Sequence, residues 1–238
     1  MSDEPSAAAN SPGTAKRTDD GAGCMPGFLA AMALLGIAGF ICCGVSTWWL
    51  YTKRSELAIR TLRQTYIPEL EQSRLAPEDK KQTVELLNQF ADDLERGKYE
   101  DWQAAGVMQR LIRLPVLQWG ELTAIERFIE SHPEDFQPDD AFQITRVRLG
   151  VQSDKVTTID VEDILSPVVQ TDASSQLNRS LVEPLDVTAV QDVVVRCRLV
   201  ADRSDVPMEP QSDAAFTEPA ISEIVKRQIK AGIDSGSL

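Results

Sequence analysis

Histidine is all but missing from this chain, His132 being the one it has. A Ser-His-Asp or Cys-His arrangement therefore has one candidate base to draw on. Cysteine is scarce too: Cys24, the adjacent Cys42 and Cys43, and Cys197. Only Cys197 lies beyond residue 50, so that part of the chain makes no internal disulfide, and zinc sites of Cys and His fail there on count. No G-x-G-x-x-G or phosphate-loop pattern occurs, so no nucleotide cradle is written in the sequence. Bases are in deficit, 24 Lys+Arg against 37 Asp+Glu for a net charge of −13. Such a surface repels phosphate backbones, and nucleic acid is not expected as a partner. These absences leave no catalytic, cofactor-binding or metal-ligating residue to assign.

Charge is missing altogether from Phe28 to Leu50, FLAAMALLGIAGFICCGVSTWWL. About 20 apolar residues in a helix span the ~30 Å hydrocarbon core of a bilayer, and this run is long enough to cross with some tilt. Trp48, Trp49 and Tyr51, followed by Lys53 and Arg54, suit the headgroup layer at its far end. A cleaved signal peptide fits poorly. Its apolar core is shorter, ~7–15 residues, and follows its positive charges closely, whereas Asp19 and Asp20 here separate Lys16 and Arg17 from the run. The run therefore predicts a single transmembrane helix with the lipid bilayer as its partner. Lys53, Arg54, Arg60 and Arg63 after it outweigh Lys16 and Arg17 before it, which predicts a cytoplasmic soluble domain. Within the span, Gly36, Gly39 and the row Ala38, Cys42, Ser46 are small residues of the kind that let helices approach in lipid, so self-association through this face is one expectation.

The rest reads as mainly α: a soluble bundle or stack of short helices. Residues 1–27, rich in Ser, Ala, Gly and charge, are expected to be a disordered tail, and 28–51 the transmembrane helix. A juxtamembrane helix over 52–72 carries Ile59, Leu62, Tyr66 and Leu70 at helical spacing, with a bend at Pro68. The helical domain, 73–168, opens at Pro77, with Val84, Leu87, Phe90, Ala91 and Leu94 inward and a stop at Gly97. Next come a helix with Trp102, Ala105, Met108 and Leu111 inward, and one from Pro115 to Ser131. Phe142 to Val151 fits neither the helical nor the strand period and is assigned as helix; Thr158 caps a short helix through Leu165. A linker over 169–186 leads to C-terminal helices, 187–238, packing on the helical domain. One carries the stripe Val187, Val190, Val194, Cys197, Ala201; the last opens at Thr217-Glu218-Pro219 and frays from Gly232.

Candidates for chemistry have plain structural explanations. His132, between a helix end and Pro133, has the setting of a solvated capping residue. Cys197 falls on an apolar stripe, where a free cysteine behaves as a small hydrophobe. The acidic clusters Asp92-Asp93, Asp139-Asp140 and Asp160-Val161-Glu162-Asp163 lack the central glycine and alternation of a calcium loop. The latter two stand at helix starts, facing the macrodipole. The expected function is accordingly a membrane-tethered α-helical protein-interaction module, with a protein partner or a second copy of itself. The alternatives are a ligand-binding or hydrolytic domain using acidic residues, and a structural homo-oligomer. An exposed apolar patch would favour partner binding, and a carboxylate-lined cleft the enzyme.

Overall fold

A computed structural model describes residues 25–171, 179–208 and 220–236, and the fold is mainly α. The chain divides into two units, Met1–Trp49 and Leu50–Leu238. The expected tail up to residue 24, Cys24 with it, the middle of the linker and the Thr217-Glu218-Pro219 helix opening lie outside the described residues.

The first unit is built on helix α1 (Met25–Thr52). Its stretch Phe28–Trp49 is long and apolar enough to cross a membrane, about 33 Å at 1.5 Å per residue. No side chain in this stretch is buried. The Thr47 hydroxyl donates to the Cys43 carbonyl at 2.8 Å, which satisfies a polar group inside the helix itself.

The second unit begins with α2 (Arg54–Thr61) and α3 (Ile67–Gln72), joined without a break by a π-helical turn over Leu62–Tyr66. Pro68 accounts for that turn. A proline has no N–H to donate, and its ring collides with the carbonyl four residues back; a widened turn relieves the collision. There follow α4 (Pro77–Glu95), α5 (Asp101–Arg113), α6 (Trp119–Ser131), α7 (Asp140–Gln152), α8 (Thr158–Leu165), α9 (Val187–Arg203) and α10 (Ile221–Ser235). Helix α4 stops where expected: Gly97 takes φ +68° and donates to the Leu94 carbonyl. The expected inward residues Leu87, Phe90, Ala91 and Leu94 are buried.

Two groups of helices share one core. Helices α2, α3, α5 and α10 gather around α4 and one another, while α9 lies against α7 and α8. The closest approach is between α5 and α10. A Cβ on Gly106 would stand 2.4 Å from the Gly236 backbone, and one on Gly232 2.7 Å from the Val107 Cα. Gly232 is thus a contact surface that lets two backbones meet. It is not the start of a frayed end, and α10 continues through Ser235.

Other expectations need correction. The linker assigned to 169–186 contains a small antiparallel hairpin, β1 (Val169–Thr171) with β2 (Arg179–Leu181), in the register Gln170 opposite Ser180. Strands of three residues in a polar stretch leave no alternation to read. Helix α6 starts at Trp119, because 116–118 form a turn whose Val116 and Gln118 are themselves buried. The cap of α8 is Thr157, whose N–H and hydroxyl both donate to Asp160. On α5 the buried residues are Ala104, Gly106, Val107, Arg110 and Leu111, and Trp102 is turned out to 45% exposure. That rotation follows from Gly106, which admits α10, and from Arg110, whose head is taken up by the Gly236 carbonyl and Gln228.

Helix α7 explains its own illegible period. It buries Gln143, Ile144, Arg146, Val147, Arg148, Gly150 and Val151, which covers most of its circumference. The Arg146 guanidinium donates to Gln143, Asp202 and the Val206 carbonyl. That of Arg148, at 0% exposure, donates to Glu126 at 2.7 Å and Thr123 at 2.9 Å and lies 5.5 Å from the Trp119 ring centre. Charged residues on the inner faces erase the apolar stripe that a periodicity argument needs.

Candidate functional site

Each of the groups that could carry chemistry has structural work. His132 ends α6: its Nδ1 lies 2.9 Å from the Phe128 carbonyl and 3.0 Å from the Ser131 hydroxyl, with its ring stacked on Phe128. Cys197 is fully buried in α9, and burial, the main cause, pushes its thiol up to about 12. A thiol so held supplies no thiolate at neutral pH.

The acidic clusters are distributed among arginines and helix starts. Asp92 pairs with Arg63 at 2.5 Å, and Asp93 with Lys98 at 2.8 Å. Asp139 and Asp140 both face Arg198, and Asp140 also accepts from the Gln137 N–H. In the third cluster Asp160 meets Arg203, Asp163 meets Arg196, and Glu162 meets Arg179 and Gln118. Burial works to raise the Asp160 carboxyl, but the bonds from Thr157 and Arg203 prevail and hold it below the usual carboxylate range. Glu121 goes the other way: burial holds it above that range, although Arg179 stands 3.3 Å off. Among the described residues no three of His, Cys, Asp and Glu gather as a metal would need.

Two surface features remain. The first is apolar. Ile159 on α8 is 76% exposed, Leu199 on α9 62% and Ile112 on α5 61%. They stand on adjoining helices: the Thr158 hydroxyl donates to the Ile112 carbonyl at 3.0 Å, and Arg203, one turn beyond Leu199, reaches Asp160 beside Ile159. The second is a pair of recesses that share Arg54 and Trp102 in their linings. One, of about 440 Å³, is lined by Arg54, Tyr99, Glu100, Asp101 and Trp102. The other, of about 460 Å³, is lined by Arg54, Trp102, Ala105, Gly106, Gln109, Ser235 and Gly236. The Trp102 indole N–H donates to Glu100 at 2.7 Å. The sequence offered one signal for this place, the adjacency of Glu100, Asp101 and Trp102 at a helix start. Arg54 and Ser235 come from the two ends of the unit, and no spacing rule connects them.

No family model, curated protein or solved structure matches the chain.

Proposed function

We propose that this is a single-pass membrane protein, anchored through Phe28 to Leu50, whose helical domain faces the cytoplasm and serves as a protein-interaction module. The observation that carries the interaction reading is the exposed trio Ile112, Ile159 and Leu199 on adjoining helices. Exposed large apolar side chains on neighbouring elements suit a surface that another protein covers. The distribution of the acids supports it from the other side: the clusters are engaged by arginines and caps, so a hydrolytic pair of carboxylates is the weaker reading. Anchoring is supported by α1, which offers apolar side chains on every face and buries none of them between Phe28 and Trp49.

The test is purification of the full chain from native membranes in mild detergent, beside the double variant Ile159→Glu, Leu199→Glu. Both positions point away from the core, so the variant keeps the helical signal of the parent in circular dichroism. A near-stoichiometric companion present with the parent chain and lost from the variant is the expected result. Recovery of the parent chain alone, or of the same companion with both, contradicts the interaction reading at this surface.

A further inference from the structure

Helices α4, α6 and α10 all start around one cleft of about 280 Å³, just below the ~300–1,000 Å³ of sites for drug-sized ligands. Ala76 at the N-cap of α4 and Ala220 at the N-cap of α10 line it, as do Trp119 and Gly120 in the first turn of α6. None of these three starts has a side-chain cap. The first N–H groups of a helix find no acceptor within it, and their partial positive charge favours an acceptor or an anion in front of them. Close packing brings the starts together. A Cβ on Gly120 would stand 2.2 Å from the Arg74 carbonyl carbon, so the stretch ahead of α4 rests directly on α6. The Ser222 hydroxyl of α10 lies 3.1 Å from the Gln82 amide oxygen of α4.

Trp119 points to a ligand independently. It is 4% exposed, its carbonyl accepts from the Thr123 hydroxyl at 3.1 Å, and its ring faces the Arg148 guanidinium. Its indole N–H has no acceptor among the described residues, yet it is not one of the unpaired polar atoms closed off from solvent. The opening left to it is the cleft that Trp119 lines. An indole N–H only donates, so the group that meets it there must accept.

One charge faces these donors. The Asp79 carboxylate lines the same cleft; among the described residues its one hydrogen bond is from the Ser222 hydroxyl at 3.5 Å, and no base stands within ion-pair range of it. A lone anion would be repelled by Asp79, and a lone cation would leave the Trp119 N–H unmet. A molecule with both groups answers both, and Leu75, Ala76 and Ala220 offer it an apolar wall. We propose that this cleft binds a free amino acid with a small aliphatic side chain, its carboxylate accepting from the Trp119 N–H at the helix starts and its ammonium group on Asp79. The assignment rests on neither the anchor nor the exposed trio.

Nitrogen-15 NMR of the indole groups tests this on the full chain in detergent micelles, since the chain has four tryptophans and single Trp→Phe variants assign them. L-alanine, L-valine and L-leucine are titrated in turn. The Trp119 N–H proton is expected to move downfield with at least one of them, while Trp48, Trp49 and Trp102 stay in place. For the amino acid that binds, the matching acid without the amino group and the matching amine without the carboxylate should each bind at least about tenfold more weakly, having lost a charge-assisted bond. Asp79→Asn should weaken binding by a similar factor and Glu85→Gln should leave it unchanged. A Trp119 signal that none of the three amino acids moves overturns the site, as does a common drift of all four signals. Equal binding of the deaminated acid on the parent chain assigns a plain carboxylate site and overturns the amino acid. Unchanged binding by a folded Asp79→Asn chain overturns it too.

Discussion

Between Phe28 and Trp49, α1 carries no charged side chain and buries none of its residues, whereas α7 carries Arg146 and Arg148 and buries both. By composition α1 resembles a core helix and α7 a surface one. The difference lies in what each is offered. Around α7, helix α6 supplies Glu126 and Thr123, α9 supplies Asp202, and the turn beyond supplies the Val206 carbonyl. Two guanidiniums can be enclosed because acceptors have been folded in with them. Between Phe28 and Trp49 the described side chains of α1 are exposed, and an apolar face in water has only hydrocarbon or another protein to go to. Burial is decided by complementarity, and composition alone reports it poorly.

The largest effect expected on the α7 side comes from removing an acceptor and leaving its cation. Glu126→Ala takes the paired carboxylate away from the enclosed Arg148 head, and should destabilise the domain by about 3–5 kcal/mol. Arg148→Met, which removes the charge and keeps an apolar stem, should cost clearly less. Urea denaturation of the full chain in detergent, followed by circular dichroism, compares them; equal losses would mean that the pair is not acting as an enclosed ion pair. A middle-sized effect is expected where α5 and α10 meet. Gly232→Ala puts a methyl group 2.7 Å from the Val107 Cα, so the helices must separate, at about 1–3 kcal/mol. A neutral result would show that this contact is loose.

Asp160→Asn is the smallest, about 1 kcal/mol at neutral pH, from a weaker cap on α8 and a lost charge opposite Arg203. Because the folded state holds this carboxyl below its ordinary value of 3.8, its contribution is present above that pH and is lost as pH falls through the lower, folded value. The gap between parent and variant should therefore close on acidification and stay constant from pH 5 to 8. A gap that widens in acid contradicts the assignment.

How far the fold could be read in advance follows the same division. Helices α4, α6, α9 and α10 obey the rule that apolar residues recur on one face, and their stripes at Leu87 to Leu94, Leu122 to Ile129, Val190 to Ala201 and Ile221 to Val225 are buried. Where polar residues or glycine do the packing, the pattern misleads. Arg110 and Gly106 rotate α5 and bring Trp102 to the surface, and Gln143, Arg146 and Arg148 blur α7. Gly232, which has the look of a terminator, is a contact. The candidate site was less legible still. Its two recesses join the start of α2, the start of α5 and the end of α10, and only the fold brings Arg54, Trp102 and Ser235 together.

The central claim is that α1 holds this domain to a bilayer, and extraction of native membranes in alkaline carbonate tests it most directly. The parent chain should stay in the membrane pellet. Ile37→Arg with Ile41→Arg, each costing about 2.5–3.5 kcal/mol at the centre of a span, should move the chain to the supernatant with its helical domain still folded. Release of the parent chain into the supernatant, or retention of the double variant, would contradict the anchor.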